Sequence, residues 1–567
     1  MPLPVSTTIL LAAASIALIF GRFGHVRADG LRRLFFFVVL LLASYSLWIE
    51  PTQPFSSVDD FEIHTVWSQD ALALSEQWLV LAFGLLAGIV HWDAPHGELR
   101  TFRHCGFLLF VIAGLTLVAR SNDFLSLGLS FEIVNLALAA LRGSSKPPLS
   151  RGISAVDRLS GRSFELGSVW LSSIWLWFGV AILANATAST HFDTVRRVLT
   201  LAYEPGGDHS AIGSPSRLIL LAIGLIATSL FARMGLVPFQ FGLEASLRYR
   251  TYRFSGLSIC AEQLAASMIL TRLFGRVFVG MGHSLTTLMM TVCLASFALS
   301  IALAARSLSP NLRSIPRWLA SFVLLQSAWL GIDLMIVATE LEHPTLRWAT
   351  FAPHQETLGL IVLTQLSGLL ACGGIYWSLS YLARADREVE FLEDLKGLGQ
   401  SAPVAAVTLS IAMASAIGWP LTAGFWARWL TLLAGHNVHL KSSSNIFTPH
   451  EGLRVVLLLG TLATIFFAAV AFRMIREIWI ESPLARPTAT GGRGVLAASL
   501  LAAVACLTIG VAPQVVLIPW QRIPPPREMI PPATERGSGV TPLGWNGGGK
   551  LKSDPTNAES IETSRTQ

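Results

Sequence analysis

Long uninterrupted apolar runs constrain this chain more than any other feature. About fourteen of them lie near residues 5–20, 34–48, 75–90, 105–119, 124–141, 164–185, 218–238, 255–274, 285–305, 319–339, 357–382, 403–434, 453–474 and 495–518. A hydrocarbon core about 30 Å thick is crossed by about 20 apolar helical residues. Only helices and closed barrels satisfy their backbone polar groups inside it. Continuous rather than alternating apolar residues exclude the barrel. Charged residues are 13% of the chain at a mean hydropathy of +0.57, about half the charged share of a soluble domain, so a polar shell for several soluble domains is missing. The predicted fold is all-α, a polytopic membrane protein with about 14 transmembrane helices.

Charge predicts the orientation. No charged side chain occurs in Met1–Leu10, unlike the basic start of a secretory signal peptide, so the first run is read as span one. Of the 41 Lys and Arg residues, 24 fall in alternate loops beginning with Arg22, Arg27, Arg32 and Arg33, and nine in the intervening loops. Basic residues collect on the cytoplasmic side, which predicts an integral, multi-pass protein with both termini outside. The net charge of +6 then reflects topology-setting loops and not a nucleic-acid surface. The region after 523 contains PPP, PP and GGG and reads as a disordered tail over 523–567.

Ionisable groups inside apolar runs come next, because each costs roughly 2.5 to 3.5 kcal/mol at mid-bilayer even on a lenient scale. Glu132, Arg233, Glu262 and Arg428 stand out, followed by Asp333, with Gln263, Gln326 and Gln365 as further polar groups at membrane depth. Two readings fit: an ion path, or a structural Glu132–Arg233 pair with Glu262 and Arg428 on a polar seam between helices. Pro238 and Pro420 interrupt spans seven and twelve, and a proline inside a helix forces a break that is buried in protein or lines a cavity. The breaks lie five spans apart. An odd repeat length inverts topology, so two inverted five-helix repeats are predicted, over 105–274 and 285–474. Three helices over 1–104 precede them and one over 495–518 follows.

The segments RSNDFLSLGLSFEIVNLAL, FARMGLVPFQFG, AEQLAASMILTRLF, FLEDLKGLG and AIGWPLTAGFWARW resemble the antiporter-like membrane subunits of respiratory complex I, with subunit N of proton-translocating NADH:quinone oxidoreductase the nearest pattern. The resemblance runs from about residue 105 to about 475. It implies that Glu132 takes the position of a span-five Glu that pairs with a span-seven Lys, and that Arg233 takes that Lys position. It further implies that Gln263 stands at a span-eight Lys position on a central polar axis, and Arg428 at the span-twelve position. The five lysines (Lys146, Lys396, Lys441, Lys550, Lys552) all lie outside the runs. Arg stays protonated under protein conditions where a desolvated Lys does not, so reversible protonation falls to Glu132, Glu262, Asp333 and water.

The resemblance implies a subunit of a translocase that couples quinone reduction elsewhere to proton movement here, assembled with other complex I membrane subunits in the lipid bilayer. NADH, flavin, iron–sulfur clusters and quinone are expected on partner subunits. The residues agree: Cys105, Cys260, Cys293, Cys372 and Cys506 form no CxxC pair, and the thirteen histidines form no metal-ligand set. Catalytic, cofactor-binding and metal residues are therefore predicted to be absent. Two alternatives share the fold family: a cation/proton antiporter subunit of the multi-subunit type, and a non-conducting scaffold.

Overall fold

The computed structural model describes residues 3–22, 29–50, 66–68, 70–91, 102–143, 155–203, 216–240, 243, 247, 251–278, 282–308, 314–342, 353–382, 389, 391–440, 449–481 and 492–521. The tail over 523–567 lies outside them. A helix occupies each of the fourteen apolar runs. In chain order these are α1 Val5–Arg22, α2 Asp29–Ile49, α3 Ala71–Val90, α4 Phe102–Arg120, α5 Phe124–Gly143 and α6 Ala155–Thr187. The amphipathic α7 Phe192–Tyr203 precedes α8 Ser216–Met234 and α9 Tyr252–Arg272. Then come α10 Gly282–Leu308, α11 Ile315–Glu342, α12 Pro353–Leu382, α13 Pro403–Ile417, α14 Ala423–Leu440, α15 Pro449–Trp479, α16 Arg493–Val511 and α17 Gln514–Gln521. Among the described residues twelve helices are long and apolar enough to cross a membrane, and Val5–Gly21 and Pro403–Ile417 are shorter apolar helices.

Burial separates an inner row from an outer ring. The apolar windows of α9, α11 and α12 are 89%, 94% and 89% buried, whereas those of α2, α6 and α10 are 33% buried. The outer helices direct large apolar side chains such as Leu41, Trp48, Ile174 and Leu458 outward, as a helix facing hydrocarbon does. Polar groups that must avoid lipid therefore belong on the inner row, and that is where Glu262, Gln263, Gln326, Asp333 and Gln365 are carried.

Both prolines mark breaks. Helix α8 ends at Met234, and Gly235 turns the chain with φ +69°, a conformation that costs glycine nothing. The carbonyl of Met234 accepts from the Ser327 hydroxyl of α11 at 2.8 Å. In span twelve, Gly418 (φ +73°) follows α13, and the Trp419 N–H closes back on Ala414 O at 2.9 Å. Pro420 lies in the link between α13 and α14. One side of this link packs on α16, where Trp426 Nε1 donates to Gly510 O at 2.8 Å and a Cβ at Gly510 would fall 2.1 Å from Leu421 O, while Trp419 and Leu421 point outward, 51% and 66% exposed.

At the end of the bundle where α3 begins and α4 and α9 finish, Asp70 caps α3 by accepting from Ala73 N–H at 2.7 Å. It also pairs with Arg272 and Arg276, each at 3.5 Å. Burial works against its charge, but the two guanidiniums, the Ala73 N–H and the Ser68 hydroxyl outweigh it and hold the carboxyl below the usual carboxylate range.

Candidate functional site: a polar axis through the inner helices

Arg142, in the last turn of α5, forms an ion pair with Glu262 of α9. Arg233, at the end of α8, reaches the same carboxylate with Nη1 at 4.0 Å. Its guanidinium is fixed from the other side: Nε donates to Ser172 Oγ at 2.7 Å, Nη2 donates to Val169 O at 3.1 Å, and the group lies 5.3 Å from the centre of the Phe131 ring. The break after Met234 ends α8 just beyond Arg233 and leaves its side chain at a cavity wall.

Here the structure departs from the expected pairing. Among the described residues no ion pair within 4.0 Å joins Glu132 to Arg233, and Glu262 is the carboxylate that Arg233 meets. Glu132 accepts from Asn135 Nδ2 at 3.3 Å, while its Oε1 has no hydrogen-bond partner among the described residues. It acts on Arg233 through longer-range attraction. The reason is the register of α9: it turns Glu262 toward the ends of α5 and α8, and Glu262 and Arg142 close the gap first.

Three cavities continue from this cluster. The first, about 50 Å³, is bounded by Arg142, Arg233, Glu262 and Gln263. The second, about 40 Å³, shares Met234 and Gln263 with it and adds Ser267, Gln326, Ser327, Thr364 and Gln365. The third, about 10 Å³, shares Gln326 and Thr364 with the second and ends at Arg428 and Thr431. A water needs roughly 10–15 Å³ of such space and two to four polar partners. The first two cavities therefore have room for several waters, and the third is at the threshold for one. The dividing walls are amides: Gln263 Nε2 donates to Ser327 Oγ at 2.9 Å, and Gln326 Oε1 accepts from Arg428 Nη2 at 3.1 Å.

Arg428 ends the line. Its guanidinium also donates to Ala416 O, a carbonyl in the last turn of α13 beside the break, and it lies 5.8 Å from the Trp329 ring centre. Asp333 lies farther along α11 and accepts from Thr431 at 2.6 Å. The structure thus joins Glu262, Arg233, Gln263 and Arg428 along one axis, with Glu132 behind Arg233 and Asp333 off its far end. Pro238 and Pro420 mark the breaks that admit Arg233 and Arg428.

Residues 359–448, which cover most of α12, the Leu392–Leu395 turn, α13 and α14, match the family described as NADH:quinone oxidoreductase/Mrp antiporter, TM. The chain is 24% identical over 399 residues to NADH-quinone oxidoreductase subunit N of Caulobacter sp. (strain K31), covering 69% of this chain and 71% of that protein. It is 23% identical over 460 residues to F(420)H(2) dehydrogenase subunit N of Methanosarcina mazei, covering 80% and 84%. Among solved structures it superposes on a chain of respiratory complex I from Thermus thermophilus with a TM-score of 0.66 at 18% identity, over 91% of this chain and 99% of that one. This is the antiporter-like fold. The Mrp complex from Dietzia sp. DQ12-45-1b shares it, with a TM-score of 0.68 at 14% identity over 91% and 96%.

Within that fold, this chain carries several functional candidates that the apolar runs do not single out. Arg142 counts with the loop cations in sequence because it ends its helix, and only the fold brings it to Glu262. Ser172, Ser327, Thr364 and Thr431 are ordinary helix residues in sequence, and each supplies a hydroxyl at the axis. Glu76 is fully buried in α3 and meets Arg272 at 3.5 Å. A lone carboxylate in ALALSEQWLVLAFGLLAGIV is the available signal for it.

Proposed function

We propose that this chain is a membrane-arm subunit of a proton-translocating NADH:quinone oxidoreductase, similar to subunit N, and that it moves protons along the axis from Glu262 to Arg428. The observation that carries this reading is the run of three cavities sharing Gln263 and Gln326, bounded at one end by a carboxylate with two cations and at the other by a buried arginine. NADH, flavin, iron–sulfur clusters and quinone belong to the partner subunits, along with the redox chemistry. The two breaks fit two inverted five-helix repeats over 105–274 and 285–474, with both termini outside a bacterial inner membrane.

The chemistry follows from which groups can change charge. Arg142, Arg233 and Arg428 keep their protons, so they set the field and do not carry. Glu262 changes state. Ionised, it neutralises Arg142 and attracts Arg233. Once a proton occupies its carboxylate oxygen the ion pair ends, and the two guanidiniums face each other with Glu132 as the remaining anion nearby. That arrangement repels further positive charge and favours passing the proton onward through water in the first cavity. Gln263 and Gln326 orient that water without taking net charge.

Glu262→Gln in the assembled complex, reconstituted into sealed vesicles, tests this. Electron transfer to quinone should persist while protons moved per electron fall. An unchanged ratio removes the proposed role.

The match to an Mrp complex favours a second reading, a cation/proton antiporter subunit of the multi-subunit type. Sodium-driven proton movement in vesicles lacking any redox donor would select it over the first. A proton ratio unchanged after Glu132 and Glu262 are both neutralised would leave the scaffold.

A further inference from the structure

The hydroxyl of Thr431 touches two acceptors at once. Its Oγ is 2.6 Å from Asp333 Oδ1 and 2.8 Å from the carbonyl of Ala427. A hydroxyl has one proton and two lone pairs, so it donates to one of these oxygens at a time. When Thr431 donates to Asp333, the carboxylate is charged and its Oδ1 is satisfied. When Thr431 donates to Ala427 O, the 2.6 Å contact holds only if Asp333 carries a proton and donates it to the Thr431 oxygen. One set of heavy-atom positions thus serves both states of the acid, exchanged by a turn of a single hydroxyl.

The surroundings connect this pair to the axis. On α11, Gln326 and Asp333 are seven residues apart, two turns along one face. On α14, Arg428 and Thr431 are three apart, on neighbouring turns. The rungs match: Gln326 with Arg428, Asp333 with Thr431. Thr431 and Thr364 both line the last cavity. Asp333 is fully buried, and its Oδ2 has no hydrogen-bond partner among the described residues. An acid built only for packing would have both oxygens satisfied or be paired with a cation.

We infer that Asp333 is the carboxyl that exchanges protons at the Arg428 end of the axis, with Thr431 as its hydroxyl switch. This rests on the proton-translocating reading above and supplies what Arg428 cannot. Thr431 lines the last cavity, so a proton from water there binds the Thr431 oxygen as the hydroxyl's own proton passes to Asp333 Oδ1, and the new hydroxyl then turns to Ala427 O. The acid proton leaves the carboxyl as the hydroxyl turns back to Asp333, which restores the charged acid. No bond other than the O–H bonds changes, and Arg428 keeps its charge throughout.

The test uses the assembled complex in sealed vesicles, reading protons moved per electron. Asp333→Asn should slow coupled proton movement on the order of 100-fold, the low end of what a positioned proton-transfer group contributes. Asp333→Glu should restore part of it. Should Asp333→Asn fail to assemble, Thr431→Val keeps the shape and removes the hydroxyl, and should slow proton movement where Thr431→Ser does not. Glu262→Gln is measured alongside. If it abolishes coupling while Asp333→Asn and Thr431→Val leave the ratio intact, Asp333 is not the exchanging acid and the wider reading stands. If Glu262→Gln leaves the ratio intact, the wider reading falls and takes this inference with it.

Discussion

Arg142 and Glu262 form a direct ion pair between α5 and α9, while Arg233 stands 4.0 Å from the same carboxylate and takes its hydrogen bonds from α6. The two cations therefore hold Glu262 unequally, and the difference is measurable. Breaking a buried pair by removing one partner costs about 3–5 kcal/mol. Arg142→Met should approach the lower end of that range, since Glu262 keeps Arg233 and some solvent contact. Arg233→Met should cost less through Glu262, because its own bonds are to neutral groups. Unfolding of the two variants in detergent checks the order, and the reverse order would make Arg233 the principal partner.

Arg233→Lys separates charge from shape. The planar fork of Arg233 binds Ser172 Oγ and Val169 O together, which a lysine ammonium cannot reproduce from one point. A loss of about 1.5–3 kcal/mol, the usual worth of hydrogen bonds to a charged group, is expected in thermal unfolding. Proton movement should persist, because a cation remains beside Glu262. Loss of proton movement with full stability would show that the fork itself is needed.

Gly424→Ala should disrupt the break in span twelve. A Cβ there would fall 1.9 Å from Ser415 O, an overlap that backbone on both sides cannot absorb. Overpacking of this kind costs about 1–3 kcal/mol or more. The shift would move α14 off α13 and part Arg428 from Ala416 O. Reduced stability together with slower proton movement is the expected result, measured on the assembled complex. The same substitution at Gly224, whose Cβ would meet nothing within 4 Å, is the control.

Two groups just outside the spans contribute to the pH dependence of stability. Burial pushes His91 down to about 4, assisted by Arg253 and Arg32 and opposed by its hydrogen bond to Ala87 O. The unfolded chain binds the proton more readily, with an ordinary value near 6.5. Stability should therefore rise with pH between about 4 and 6.5, by about 1.4 kcal/mol per pH unit. Asp70 acts lower: its contribution is present above the ordinary Asp value and is lost as pH falls through its lowered one. His91→Gln should reduce the upper slope and leave the acid limb in place. An unchanged slope between about pH 4 and 6.5 would assign it to other groups.

The helices and the breaks were legible because their causes are local. An apolar run of about 20 residues forms a helix in lipid wherever its neighbours stand, and Pro238 and Pro420 interrupt a helix through their own rings. Glu132, Arg233, Glu262 and Arg428 were legible for a related reason, since an ionisable group within such a run is costly in any arrangement. The resemblance in RSNDFLSLGLSFEIVNLAL and AIGWPLTAGFWARW extended this to a fold.

Partnership was decided by the tertiary structure. Glu132 and Arg233 looked paired because both lie in apolar runs, yet Glu262 is the carboxylate within reach of Arg233, and its direct partner is Arg142 from the end of α5. The Thr431 hydroxyl between Asp333 and Ala427 was equally invisible. Hydrophobicity is a property each residue carries with it, so sequence determined which segments enter the bilayer and which charges go with them. A hydrogen bond or an ion pair depends on position to within an ångström, and only the packing of one helix against another determines that.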